Sequence, residues 1–338
     1  MLQTSSYDYT LPPHLIATHP ADPKESAKLL VYDRSSNTIT HTTIAHLLEF
    51  IPLESAIIFN DTKVIKARLF GHKTSGGKCE LLINKPLDAT NISVYIKGRV
   101  RSGSTLKFSQ DLIASVVDLR SDGSRVVQFY HQDRVLRFEE LLPLLDLVGH
   151  TPLPPYIDRA DTKEDEAMYQ SVFAKHSGAV AAPTASLHFS DNLFAKTTAR
   201  HTHAFVTLHI GSGTFKPVEC ENILDHPMHS EFYTISSEAK ELIKSDKELL
   251  CVGTTSTRSV EYFVRHSNKL SGEADLFLHP QNPPTRVDHL LTNFHLPRST
   301  LLMLVASFVG LEKAQDLYAE AVQKEYRFYS YGDAMLIL

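Results

Sequence analysis

The sequence predicts an α/β protein, a larger domain with a barrel-like sheet, interrupted by an inserted all-β barrel domain. Three observations carry this. Apolar runs of strand type alternate with helical runs in the first 60 residues and again from about Tyr169 to the end, the pattern of an α/β layer. Between about Ala67 and Gln132 this gives way to short β-rich runs separated by turn residues, as in a small barrel. The chain has 338 residues, more than one core comfortably serves. The reading is a discontinuous α/β domain, 1–65 and 150–338, around an insert at 66–149.

Taken in order, prolines at 12, 13, 20 and 23 keep the start extended or turn-like. LLVYD (Leu29 to Asp33) and AIIFN (Ala56 to Asn60) read as buried strands. Thr43 to Phe50 between them reads as a short helix, capped by Thr42 or Thr43. Asn60-Asp61 ends its strand in a turn. In the insert, CELLINK, ISVYIKG, STLKFS, LIASVVDL and SRVVQFY supply five or six strands, and Asp122-Gly123 marks a hairpin. Leu136 to Leu147 reads as a helix that Pro143 kinks or splits. After a proline-rich turn from His150, strands are expected at Phe205 to Ile210, Leu249 to Gly253 and Asp275 to Leu278. Helices are expected at Glu238 to Lys244, Ser256 to Arg265 and Pro297 to Val309, with Pro297 in the first turn of the last and Gly310 as its stop.

Hydrophobic residues make up 42% and charged residues 22% of the chain, as in ordinary globular proteins. No apolar run approaches the ~18–20 residues that cross a bilayer, and no signal peptide is visible at the start. Cys79, Cys220 and Cys251 form no paired motif. A cytoplasmic location without membrane contact is therefore the expectation. Net charge is −5, yet residues 63 to 107 hold ten Lys/Arg against two acids. That stretch carries +8 and the remainder −13, the footprint of a polyanion-binding face. A merely solvated basic surface is the duller reading.

Several familiar motifs fail on inspection. Gly211-Ser212-Gly213 follows a strand, but a dinucleotide fingerprint needs glycine where Lys216 stands. The run from Gly71 to Gly76 resembles a phosphate loop, but Gly77 occupies the lysine position, so it reads as a hairpin. His201/His203 and His226/His229 have metal-like spacing without a completing ligand set, and no metal is expected. No GxSxG elbow is present.

What remains is a set of polar segments rich in small residues. SGAVAAPTASLHFS carries Thr184 and His188. HAFVTLHIGSGTF carries His209, Gly211, Gly213 and Thr214. Small residues let a backbone approach a ligand closely. His226-Pro-Met-His229-Ser-Glu231 places two histidines and a carboxylate in a short loop, enough for general acid–base work. Gly253 to Arg258 is a strand-to-helix turn whose arginine could clamp a carboxylate. Asn293 to Pro297, with His295, is placed at a helix N-terminus, which favours anions. Tyr331-Gly332-Asp333 adds a polar turn.

These residues sit in stretches that closely resemble the S-adenosylmethionine:tRNA ribosyltransferase-isomerase family of queuosine biosynthesis. The matching stretches are YDYTLPPHLIATHP, FNDTKVIKARLFG, PLPPYI, GAVAAPTASLHF, VTLHIGSGTFKPV, HPMHSEFY, VGTTSTRSVE, LLTNFHLPRSTLLMLVASFVG and YRFYSYGDAMLI, in one order along the whole chain. The family usually has Gly where Ser186 stands, Arg where Lys63 stands and Pro where Lys66 stands. The resemblance implies an α/β domain carrying both termini around an inserted barrel. It also implies that the ribosyl part of S-adenosylmethionine is moved onto 7-aminomethyl-7-deazaguanine at the wobble position of a tRNA. The product is epoxyqueuosine-tRNA, with adenine and methionine released.

On that footing His188, His209, His229 and Glu231 are the candidates for proton transfer. Arg258, or the turn Gly211, Gly213 and Thr214, would hold the methionine carboxylate. Thr184, Asn293 and His295 would hold ribose or adenine. Lys63, Lys66, Arg68, Lys97, Arg99 and Arg101 would contact tRNA, and the protein would act as a monomer. Two rivals are an inactive tRNA-binding protein, which would not need the polar turns, and a methyltransferase, whose glycine-rich loop is not found after an N-terminal strand.

Overall fold

The computed structural model describes residues 2–215 and 218–338. Lys216, which stands in the failed dinucleotide motif, lies outside the described residues, as does the side chain of Thr214. The chain forms two compact units. One comprises Met1–Thr62, Gln170–His176 and Ala182–Leu338, the other Lys63–Tyr169 and Ser177–Ala181. Residues 150–169 thus group with the β unit, past the expected boundary at 149. The local reason is backbone pairing: Arg68 and His150 exchange hydrogen bonds of 3.2 and 2.8 Å, which extends the barrel wall.

The first segment supplies β1 (Lys28–Asp33), β2 (Thr38–Thr43), the short helix α1 (Leu47–Phe50) and β3 (Ala56–Asn60). β2 escaped the sequence reading because TITHTT is polar and largely exposed; an edge strand needs no apolar run. The chain continues through β4 (Thr62–Val64), β5 (Arg68–Lys73), β6 (Lys78–Pro86), β7 (Asn91–Lys97) and β8 (Thr105–Lys107). Then come β9 (Ile113–Leu119), β10 (Arg125–His131), β11 (Arg134–Val135), α2 (Phe138–Val148) and α3 (Asp165–Met168).

Six of these strands close on themselves in the order β5, β6, β7, β10, β9, β8 and back to β5, every pair antiparallel. Closure removes open edges. Alternate residues such as Leu69, Leu81, Ile83, Val94, Leu106 and Phe129 fill the interior. Gly71 is required in β5: a Cβ there would lie 2.4 Å from the Lys107 carbonyl oxygen of β8.

The remaining elements are β12 (His176–Ala179), α4 (Asp191–Arg200), β13 (His203–Leu208), β14 (Glu231–Ile235), α5 (Ser237–Lys244) and β15 (Leu249–Val252). They are followed by α6 (Thr254–Arg265), β16 (Ser271–Ala274), β17 (His289–Asn293), α7 (Thr300–Val309), α8 (Leu311–Gln323) and β18 (Ala334–Ile337). In the larger unit nine strands form one mixed sheet, ordered β16, β14, β13, β3, β15, β17, β18, β1, β2. β13, β3, β15 and β17 are parallel neighbours, while β14 and β18 run against them. β2 and β16 end the order and are not paired with each other among the described residues.

Two expectations are corrected. Asp275 to Leu278 is not a strand. Carbonyls of that stretch and of Ala274 accept from the Arg258 guanidinium instead, Leu276 at 3.2 Å and Ala274 at 3.4 Å. The last apolar helix starts at Thr300, capped by the Ser299 hydroxyl 3.2 Å from the Leu302 N–H. Pro297 therefore precedes it, and Asn293 to Pro297 is not a helix N-terminus.

The core explains the apolar runs. All five residues of β3 are buried, as a central parallel strand covered on both faces demands. Phe59 meets Phe173, Phe189, Phe194 and Phe205 at 4.9–5.8 Å between ring centroids. In α7 every residue from Leu302 to Phe308 is buried, so that helix is apolar all round.

Candidate active site

Parallel strands bring their carboxyl ends to one edge of a sheet, where ligands of open α/β sheets bind. Here that edge collects Asn60 at the end of β3, His209 after β13, Gly253 after β15 and Asn293 ending β17. Because β14 and β18 run the other way, their starts reach the same edge, bringing Glu231 and Tyr331 to Asp333. Segments separated by more than 200 residues in sequence thus meet.

Asn60, fully buried, ties three of them together. Its Nδ2 donates to the Leu208 carbonyl and to Thr255 Oγ1, each at 3.1 Å. Its Oδ1 accepts from the Leu208 and Thr62 N–H groups at 3.0 and 3.2 Å. Beside it, Thr62 Oγ1 lies 2.8 Å from His209 Nδ1. Burial, and then the nearby His176, hold the His209 pKa down at about 4. Gly253 caps α6 at φ +91°, a conformation for which glycine is suited.

Glu231 is the hub of a second cluster. Its Oε2 accepts from Arg258 Nη1 at 2.6 Å and its Oε1 from the Gly211 N–H at 3.1 Å. His229 Nε2 stands 3.6 Å from Oε1. Burial alone would raise the carboxyl pKa. The Arg258 charge, with His229 and the Gly211 N–H, outweighs it and holds Glu231 at about 2. Glu231 is therefore a fixed anion at neutral pH rather than a proton donor. Gly213 lies against the His229 ring, where a Cβ would come within 2.9 Å of Cγ. The expected carboxylate clamp needs revision: the Arg258 guanidinium is already spent on Glu231 and on two backbone carbonyls. Arg258 and His229 also line a recess with Leu276, Leu301 and Leu304.

His188 ends a 3-10 turn, Thr184–His188, and is buried. Its Nε2 has no hydrogen-bond partner among the described residues. Burial lowers its pKa to about 4, helped by the charges of Arg327 and Lys24, while the Asn293 amide works the other way. His188 lines a recess with Lys24, Leu187, Ser330, Tyr331 and Gly332. Ser186, in the same turn, is fully buried and its Oγ lacks a partner among the described residues. Thr184, partly exposed, opens the turn.

His295 is built into the scaffold instead. Its ring Nε2 is 2.8 Å from Thr292 Oγ1, its backbone N–H donates to the Tyr318 hydroxyl, and burial lowers its pKa to about 3. Asn293 donates to the Tyr329 carbonyl at 3.0 Å. The backbone of Thr214 belongs to the turn Ser212–Phe215.

In the β unit Lys63, Lys97, Arg99 and Arg101 are exposed. Two of the six expected tRNA contacts are spent internally: Lys66 pairs with Glu166 at 2.8 Å, and Arg68 donates to the Leu153 carbonyl at 3.0 Å.

Sequence reasoning missed Asn60, Thr62, Thr255 and Lys24. A polar FND after an all-apolar strand was the available signal for the first two.

A family model described as queuosine biosynthesis protein matches residues 4–337. The chain belongs to this family. Within it, a protein of Sulfurimonas denitrificans named S-adenosylmethionine:tRNA ribosyltransferase-isomerase is 64% identical over 337 residues, covering 100% of this chain and 98% of its own. A Nitratiruptor protein of the same name is 60% identical, covering 100% and 99%. The crystal structure of the S-adenosylmethionine tRNA ribosyltransferase of Thermotoga maritima superposes with a TM-score of 0.55 at 29% identity, over 99% of this chain and 100% of that one.

Proposed function

We propose that this chain transfers the ribosyl moiety of S-adenosylmethionine to 7-aminomethyl-7-deazaguanine at the wobble position of a tRNA and isomerises it. The product is epoxyqueuosine-tRNA, with adenine and methionine released. The observation that carries the reading is the gathering of Asn60, His209, Gly253 and Asn293 at the carboxyl edge of the parallel strands, with a buried His188 whose Nε2 has no hydrogen-bond partner among the described residues and which lines a recess. S-adenosylmethionine supplies a sulfonium that acidifies the adjoining ribose C–H.

The protein has to provide a base, an acid and a site for a carboxylate. His188 is the base in this reading. With a pKa near 4 it is neutral at pH 7, and Nε2 is the atom left to take a proton. His209 is also neutral, but its Nδ1 is held by Thr62. Lys24 lines the His188 recess and supplies the cation for the methionine carboxylate that the paired Arg258 does not. Arg258 acts through Glu231, fixing the Gly211 turn and His229, and is a positioning residue. His229 is the group that protonates departing adenine.

The test is a reaction of the protein with S-adenosylmethionine and a tRNA carrying the deazaguanine base, followed by digestion and mass spectrometry. The expected nucleoside is epoxyqueuosine, with free adenine. A gain of one methyl group would make the protein a methyltransferase. Tight tRNA binding with no chemical change would make it a binder only.

A further inference from the structure

The outer wall of the barrel carries an aromatic residue that the reaction does not use. Phe70, Glu80 and Lys97 stand side by side across β5, β6 and β7. They face outward, since their neighbours Leu69 and Leu81 fill the interior. Phe70 is 50% exposed. Among the described residues it is the one aromatic of the large apolar side chains exposed in the β unit, the others being Val117, Leu119, Val135, Leu147 and Met168. The His150 ring meets it edge to face at 5.0 Å, bracing it while half its surface stays in water.

The surroundings are ionic rather than apolar. Lys97 is 86% exposed, and Glu80 is offset by Arg68 at 3.5 Å and Lys97 at 3.9 Å. A protein or membrane partner would call for a contiguous apolar patch. An exposed ring close to the solvent-exposed Lys97, on a segment whose net charge is +8, is the chemistry that recognises unpaired RNA bases, the ring stacking on a base and the cations meeting phosphates. We infer that Phe70 is a stacking platform for an unpaired base of the bound tRNA, with Lys97, Arg99 and Arg101 on the adjoining phosphates. This rests on the tRNA reading above.

The experiment measures binding of the full-length protein to two RNAs. One is an anticodon stem-loop with 2-aminopurine placed in turn at each loop position, the other a blunt duplex without a loop. Phe70→Ala is expected to weaken stem-loop binding about 10-fold, within the roughly 1–3 kcal/mol that a stacked base contributes. It should leave duplex binding and the salt dependence unchanged and remove the 2-aminopurine quenching seen at one loop position. Phe70→Trp should restore both affinity and quenching. Phe70→Leu, which keeps apolar bulk without a ring, guards against a folding defect and should behave as Phe70→Ala at an unchanged melting temperature.

Wild-type affinity and quenching in Phe70→Ala would overturn the inference, as would equal weakening on the duplex. A wild-type dimer that Phe70→Ala dissociates would also overturn it, making the face a protein interface. If wild-type protein bound neither RNA at low salt, the tRNA reading itself would fail, a distinct result.

Discussion

Arg258 and Glu231 form a buried ion pair, 2.6 Å from Nη1 to Oε2, with both side chains almost wholly shielded from water. It links α6 to the start of β14 and, through the Gly211 N–H, to the turn after β13. Removing one partner of such a pair leaves a lone buried charge, at a cost of about 3–5 kcal/mol. Arg258→Ala and Glu231→Ala should each lower stability by about 3 kcal/mol. The double replacement of Arg258 and Glu231 by Ala should lose less than the singles sum to. Urea denaturation of the four proteins checks this. Additive losses would mean that the two residues do not act as a pair.

Asn60 should matter more than its neighbours on β3. Asn60→Ala strands the N–H groups of Leu208 and Thr62 in a buried place. Leaving buried groups unsatisfied costs about 1–3 kcal/mol. A loss of about 2 kcal/mol with a fall in kcat is expected, measured by denaturation and steady-state kinetics. Asn60→Asp keeps the acceptor but not the two donors, and should recover only part of the stability.

Stability should fall on the acid side in two windows. His188, His209 and His295 have folded pKa values lowered to about 4, 4 and 3 from 6.5. Below pH 6.5 the unfolded chain takes up protons that the folded chain refuses, so stability declines from pH 6.5 towards 4, by up to about 1.4 kcal/mol per pH unit for each histidine. Glu231 is lowered from 4.5 to about 2. Its contribution is present above pH 4.5 and is lost as pH falls towards 2. Denaturation at pH 7.5, 6 and 5 tests the first window, and His209→Gln should show a shallower decline. An unchanged slope in that variant would remove His209 from the account.

Binding of tRNA should weaken steeply with salt. Replacing Lys97, Arg99 and Arg101 together with glutamine should reduce the slope of log K against log salt by about 2 to 3. Lys66→Ala should leave it unchanged, since Lys66 is paired with Glu166 and donates to the Asp146 carbonyl.

The fold was readable where burial dominates. AIIFN and the apolar stretch from Leu301 announce a central strand and a buried helix because no solvent-facing side interrupts them. β2 and β16 were hidden: SGEA and TITHTT are edge segments with little apolar content. At the site, His209 and Gly253 do follow strands, whereas His188 ends a 3-10 turn and Asn293 to Pro297 is not a helix N-terminus. The sequence could not reveal that Glu231 would take up Arg258, since that pairing spans 27 positions and depends on the antiparallel turn of β14. The same holds for Lys66 and Glu166, whose pairing withdraws a cation that counts fully in any tally of charge along the chain.

The central claim is that proton transfer occurs at His188 Nε2 on the carboxyl edge of the sheet. Single-turnover release of adenine, with saturating S-adenosylmethionine and tRNA carrying the deazaguanine base, tests it most directly. His188→Gln should release adenine about 10²–10⁴-fold more slowly than wild type, with the same tRNA affinity and melting temperature. Release at the wild-type rate would contradict the account and move the base elsewhere.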